Sequence, residues 1–580
     1  MSATALTALT PGVGRQRASL ANLGVFTRFT LRRNWVRFLV WFLVIVGMLA
    51  FIVDYYQTLF VTQTALDDFV NTVNQPSLMF MVGIISNPIS IGGATWCKAW
   101  MFLSMMLGIG VVFLMTRNLR GDEDEGRAEL VRSYPLGIHS RLAASVVLMS
   151  ALSIVVAVFS GLVLAAMSPL TVGGQPILNA AGGTMPQGQL VEGAWVFGIS
   201  IGLMGLLGVG VGALTNEIFP SSSAANGAGA GLFAVFYVIR MIGDLYSTAD
   251  PAARTLDSHW AVWVSPIGWA ERMDPWGANA WGLAIPVIVL AAVLVVIAWF
   301  IQVRRDLDAS WVRSGVGSPR ASTFIRRPWG MGVRLQWVWL IVWTLGVVLF
   351  GFIIGSVIPT MKTMLEQSTM GGLGTLTMTV DGLTRMLMLP MLALIVGIFT
   401  AWSSTMLRAD EAHGVLESQL AGSVGRVSWA LQRLAVTWVM TVILLLLVGA
   451  CLGLSYTGLD GATVGLGTVL GTALMYLPAC LFLSSVFVLG MGLWPRAAVG
   501  VTWAVVGALW AIMIIGLALR IPQSVLNVMP FNVATPNSGG AMFWIPNTGS
   551  EWLPIIVLLA VAVVFTVVGL IGFRRRNIPV

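Results

Sequence analysis

Two stretches of this chain concentrate the side chains that can do chemistry. Residues 119–130 read LRGDEDEGRAEL and residues 407–418 read LRADEAHGVLES, so Arg120, Asp122, Glu123, Gly126 and Glu129 recur as Arg408, Asp410, Glu411, Gly414 and Glu417 at a constant offset of 288. Carboxylates set beside arginines make charge-assisted hydrogen bonds, strong enough to hold one protein against another. A single copy reads equally as a solvated connection, its acids near a helix N-terminus and Glu129 paired with Arg132 at i, i+3. Two copies at one spacing read differently, because solvation sets no spacing. They predict a short interfacial helix after each glycine, its carboxylates reaching basic side chains of a partner that meets both copies alike, as a symmetric dimer does.

Other chemistries lack their residues. A Walker A loop needs Gly-Lys-Ser/Thr so that its lysine reaches the phosphates, and the only lysines, Lys98 and Lys362, follow Cys97 and Met361. Nucleotide energy must therefore come from another subunit. Cys97, Cys451 and Cys480 are too widely spaced for a disulfide framework or a metal cluster. His139, His259 and His413 form no cluster. Asp67 and Asp68, the one carboxylate pair that points to a polytopic enzyme acting on lipid-linked substrates, read more simply as a solvated loop. The formal charge of +8 comes from arginines at the ends of apolar runs, which signal topology rather than nucleic-acid binding.

The elements that must position the acidic segments are membrane helices. Hydrophobic residues make up 57% of the 580 and the mean hydropathy is +0.87, beyond what a soluble core requires. Apolar runs long enough to cross about 30 Å of hydrocarbon predict twelve spans in an all-α integral membrane protein. In the first half they fall near 36–55, 96–116, 142–167, 193–215, 224–246 and 281–302; in the second, near 336–358, 384–406, 431–455, 462–492, 497–519 and 552–573. The first run is too long for a signal-peptide core and lacks a cleavage site, so it is expected to be retained. Arginines crowd the loops after the second, sixth and eighth spans and the chain end, and Arg496 follows the tenth, which predicts that both termini and both acidic segments are cytoplasmic.

The duplication extends beyond the motif. Arg304-Arg305-Asp306 matches Arg575-Arg576-Asn577 after the last span of each half, and Pro220 matches Pro495 before the fifth. Six spans per repeat keep the two repeats parallel, related by an axis along the membrane normal. The expected domains are a first transmembrane half over 1–302, a cytoplasmic linker over 303–335 rich in Arg, Ser, Gly and Pro, and a second half over 336–580.

The acidic-Gly-x-x-Glu segment after the second span of a six-span half resembles the coupling segment of ABC-2 type transporter permeases. The duplicated layout, SPIGWAERMDPW at 265–276 and the Arg-Arg-Asp after span six are similar to actinobacterial permeases described as polyketide-antibiotic exporters. This resemblance covers nearly the whole chain. It implies a permease working with two copies of a separate ATP-binding subunit, which would hold the ATP and Mg, and it carries the coupling role onto Arg120 to Glu129 and Arg408 to Glu417. The first copy continues to Pro135 where the second has Ser423, which implies a second site that is differently shaped or weaker.

Several secondary features carry weaker expectations. RFTLRRNWVRF at 28–38 places Phe29, Arg32, Arg33 and Trp35 as a membrane-surface elbow helix would. Gly198 with Gly202, Gly227 with Gly231 and Gly467 with Gly471 have the GxxxG spacing of close helix packing. Seven methionines between Met361 and Met391 make ordinary packing or an adaptable surface. Pro266, Trp269, Pro275 and Trp276, among other tryptophans, suggest an external segment that is a lipid-interface anchor or a gate. Arg240, Asp244 and Arg385 sit near span ends, where snorkelling or local pairing accounts for them. Twelve spans in two parallel halves also describe a proton-coupled secondary multidrug carrier, but its basic loop after span two is here acidic. Few buried charges await a polar cargo, so the expected substrate is apolar or amphipathic.

Overall fold

A computed structural model describes residues 20–62, 64, 66, 69, 90–167, 171–172, 175–176, 184–250, 255–304, 310–312, 322–324, 328–367, 384–412, 415–421, 424–459, 462–515, 529–533, 537–538, 541–542 and 549–576. The chain divides into two compact units, Met1–Val316 and Gly317–Val580. In the first, the long helices are α1 Leu23–Leu59, α2 Met101–Asn118, α3 Ser140–Met167, α4 Gln187–Ile218, α5 Ser222–Leu245 and α6 Ala284–Val303. In the second they are α7 Pro328–Gln367, α8 Leu389–Ala412, α9 Arg426–Tyr456, α10 Leu477–Leu493, α11 Ala498–Ile515 and α12 Gly549–Arg575. Eleven helices among the described residues are long and apolar enough to cross a membrane, and α11 is a shorter apolar helix. The protein is an all-α, multi-pass membrane protein. Strands occur among the described residues as three two-stranded ribbons in its connections.

The repeat is written in the backbone as well as in the motif. A π-helical turn over Trp96–Trp100 runs straight into α2, and another over Thr384–Met388 runs into α8. The two turns are 288 residues apart, the offset of the acidic segments. Such turns are rare in helices, so one at the same register in each half is a shared structural feature.

Residues 28–38, expected as an elbow of their own, form the first turns of α1. At 1.5 Å per residue the 37 residues of α1 reach about 55 Å. That exceeds the roughly 30 Å hydrocarbon layer, so one end projects beyond it.

In the first half α4 is the buried centre. A Cβ on Gly202 would lie 2.6 Å from the Ala157 Cβ, and one on Gly198 would overlap the Ala157 carbonyl, so this GxxxG pair forms the α3–α4 seam. The other expected pairs do not pack this way: nothing lies within 4 Å of a Cβ built on Gly227, Gly231 or Gly467. The second half has a cluster of linked side-chain hydroxyls between its helices. Ser403 Oγ meets Gln336 Oε1 and Thr437 Oγ1, Thr400 meets Thr441, and Ser404 meets Ser484, all at 2.8 Å. Hydrocarbon offers no water, so these hydroxyls satisfy one another across α7 to α10. At the same offset the first half has Val112, Met115 and Met149 for Thr400, Ser403 and Thr437, but keeps Thr116 and Ser153 for Ser404 and Thr441.

Asp67, Asp68 and most of the methionine-rich segment lie outside the described residues.

Candidate partner-docking segments

Beyond α2 the chain makes a short helix, Arg120–Asp124, turns at Gly126 with φ 68°, and makes a second short helix, Arg127–Arg132. That left-handed turn suits glycine because it has no Cβ to clash. The first part of the motif faces inward. Arg120 is buried and gives Nε and Nη2 to the Phe219 carbonyl at 2.8 and 2.5 Å, and Nη1 to Glu123 Oε2 at 2.6 Å. Arg141 of α3 is the second cation on Glu123, at 3.3 Å, and also bonds the Leu119 carbonyl. Asp122 lies between Arg33 of α1 and Arg127, each at 2.9 Å. Arg33 and Asn34 both donate to Asn118 Oδ1 at 2.9 Å.

Asp122 and Glu123, expected to reach outward, are therefore neutralised inside their own half. The outward face belongs to the second part of the motif. Glu129 is exposed, and beside it Leu130 and Tyr134 are 72% and 70% exposed. Asp124 accepts from the Ser222 amide at 2.7 Å, at the α5 N-terminus where the helix dipole favours an anion. The far end of the segment is pinned to the start of α1: Asn22 donates to the Pro135 carbonyl at 2.9 Å, and the Ala21 carbonyl accepts from Gly137 at 3.1 Å and Ser140 Oγ at 2.8 Å. Arg33 thus ties α1 to the acidic segment, whereas Phe29, Arg32 and Trp35 are exposed.

The second copy has the same inner logic with other cations. Arg408 meets Glu411 at 3.0 Å, and Glu411 also pairs with Arg576, which follows α12. Asp410 pairs with Arg433 of α9. Burial lowers the Arg576 pKa, Glu411 opposes that, and nearby Arg408 and Arg426 add to it. The segment resumes as a short helix, Val415–Leu420, in which Leu416 is buried, Glu417 is exposed and Gln419 accepts from Trp429 Nε1 at 2.5 Å. Gly414 and Ser423 lie outside the described residues.

At the opposite end of the first half, the segment between α5 and α6 is a cap. Trp260, Trp263 and Trp281 are exposed, as interface anchors would be. Pro266, Pro275 and Trp276 are buried instead, and Trp269 is half-buried with Nε1 on the Trp263 carbonyl at 2.7 Å. Their apolar surfaces pack inside the unit, which corrects the lipid-interface reading for these three.

The cap also carries a charge cluster that sequence reasoning missed. Arg240 of α5 meets Asp244 at 2.7 Å and Glu271 at 2.5 Å, while Arg272 meets Asp244 at 2.5 Å and Ser258 at 2.8 Å. Two cations and two anions, all buried, cancel. Local pairing was expected of Arg240 and Asp244. Their partners Glu271 and Arg272 sit in a segment whose tryptophans and prolines draw attention away from its two adjacent charges.

The family model of the Multidrug efflux system permease Rv1217c, C-terminal domain, matches residues 325–574. Over 516 residues the chain is 28% identical to the Multidrug efflux system permease protein Rv1217c of Mycobacterium tuberculosis, covering 87% of this chain and 85% of that one. Over most of its length this chain is thus similar to a multidrug efflux permease. The matched residues take in the second acidic segment and nearly all of α7 to α12.

Proposed function

We propose that this permease is the membrane subunit of an ATP-driven exporter that moves apolar or amphipathic compounds out of the cell, powered by two copies of a separate ATP-binding subunit. Such a subunit docks on the two acidic segments, which then face the cytoplasm with both termini, and it holds the ATP and Mg. The observation that carries this reading is the division of the repeated motif. In both halves the inner Asp and Glu are bound by the chain's own arginines and brace the segment, while Glu129 and Glu417 remain exposed. A braced segment with an exposed acid transmits a push from outside into the helices it is tied to. What supports export is the relative's description as a multidrug efflux permease, and the apolar cargo class rests on the chain's low content of charged residues.

The test is to tag the chain in its native host, purify it in mild detergent, and identify what accompanies it. A Walker-containing subunit at two copies per chain, lost when Glu129→Lys and Glu417→Lys are combined, is the expected result. A folded chain that arrives alone sinks the motor model.

A further inference from the structure

Trp276 is the most enclosed aromatic of the cap. It is 1% exposed, and its indole lies across two glycines: a Cβ on Gly92 would come within 2.5 Å of the ring, and one on Gly193 would overlap it. Its Nε1 donates to the Leu190 carbonyl at 3.0 Å, and Phe197 follows 6.0 Å away, centroid to centroid. Behind Phe197 stand Trp96, at 5.5 Å, and then Trp100. Two bare glycine faces, an aromatic far wall and one carbonyl acceptor make a flat slot.

The backbone that delivers Trp276 is unusual. Asp274, Trp276 and Asn279 have φ of 47, 62 and 44°, left-handed values that Asp and Asn tolerate but a bulky residue does not. The slot is what holds Trp276 there. Just before this turn, Glu271 and Arg272 are fixed to α5 by buried ion pairs, so the cap has one end anchored by charge and one held by the packing of Trp276, Met273 and Pro275 and by Trp281 Nε1 on Glu192 of α4 at 3.1 Å. Leaving the slot relaxes a strained backbone, whereas releasing the anchor exposes four buried charges. Movement belongs to the Trp276 end.

The geometry points to an aromatic-lined binding slot in which Trp276 is a built-in plug, displaced when a flat apolar group of the cargo takes its place. This rests on the exporter reading and narrows its cargo to compounds with a planar aromatic portion.

The test uses the full chain in lipid nanodiscs with Cys97→Ala, Cys451→Ala and Cys480→Ala, a water-soluble maleimide, and indole as the probe. Leu190→Cys places a thiol on the residue whose carbonyl holds the indole, and Ala280→Cys, at an ordinary φ of −75°, places one on the turn while keeping the Asn279 Oδ1 bond to the Trp276 amide. Trp276→Ala should speed labelling at position 190 about tenfold, and added indole should reverse this, as ligands fill engineered cavities. With Trp276 intact, indole should speed labelling at position 280 by displacing the plug. Gly193→Ala, which expels the ring without deleting it, serves if Trp276→Ala misfolds. Protection at position 190 that survives both variants overturns the slot. No response at position 280 to indole overturns the plug and leaves Trp276 a fixed packing residue. Failure of the exporter reading is separate, since it appears as a missing ATP-binding subunit and leaves these labelling rates unchanged.

Discussion

In the first half Arg120 is 1% exposed and bonds both Glu123 and the Phe219 carbonyl; in the second, Arg408 is 24% exposed and pairs with Glu411. The missing rigidity is supplied from elsewhere. Arg576 comes in from beyond α12, gripping Glu411 and the Met491 carbonyl, where the first half uses Arg141 of α3 on Glu123. Asp122 takes a cation from α1, and Asp410 one from α9. Each half thus repeats the requirement that both inner carboxylates be neutralised, with different arginines meeting it. A carboxylate left bare at the edge of a low-dielectric bundle is costly, and any cation within reach relieves it.

The largest break in this comparison should come from the two motif arginines. Arg120→Ala strips a buried cation from Glu123 and two hydrogen bonds from Phe219, and should cost about 3–5 kcal/mol, the range for breaking a buried pair. Arg408→Ala removes a partly solvated one and should cost under about 1 kcal/mol. Thermal unfolding of each variant in the same detergent measures the gap, and equal losses would mean the two anchorages are equivalent after all.

Next in size is the pair that holds the aspartates. Asp122 retains Arg127 when Arg33 is lost, whereas Arg433 is the cation described on Asp410. Arg433→Ala should therefore cost about 2–3 kcal/mol, the upper range for bonds to charged groups, and Arg33→Ala about 1 kcal/mol. The order of the two melting points decides it. Arg33→Ala should in addition loosen residues 119–138, detectable as faster proteolysis there while α1 stays intact.

Much of this architecture was legible in the sequence, and for definite reasons. Hydrocarbon thickness imposes run length, so the twelve helices appear near their expected positions. The offset of 288 between acidic segments is matched by the π turns, which no propensity would reveal. The orientation of the acids was not legible. Asp122 looks solvated beside Gly121 and Asp124, and only the fold brings Arg33 to it across 89 residues. The cap quartet was hidden for the same reason, since Arg240 and Glu271 belong to different elements. One signal was available: in a chain with 24 acidic residues, Glu271-Arg272 beside an apolar run has few ways to be buried except against an opposite pair.

The outer faces differ more subtly than the inner ones. Leu130 and Tyr134 project in the first copy, where the same offset in the second gives Ser418 and Gly422. Leu130→Ala and Tyr134→Ala touch exposed atoms only and should leave stability within about 0.5 kcal/mol. If the partner grips this apolar point, the same pair should lower its retention on the purified chain several-fold, as truncated anchor residues do at interfaces. Unchanged retention would assign docking to the acids that both copies share.

The smallest expected effect is the most discriminating for those acids. Glu125 is exposed, pairs with Arg127, and has His413 as its counterpart in the second copy. Its side chain is 58% exposed, so the pair contributes little to the fold. Glu125→His therefore makes the first copy resemble the second at this position without disturbing the inner ion pairs, and melting should be unchanged within about 0.5 kcal/mol. Partner retention should be unchanged too, because the acid common to both copies is Glu129 with Glu417. A loss of partner on Glu125→His alone would show that docking depends on charge peculiar to the first half, and that the two segments share a brace but not a binding face.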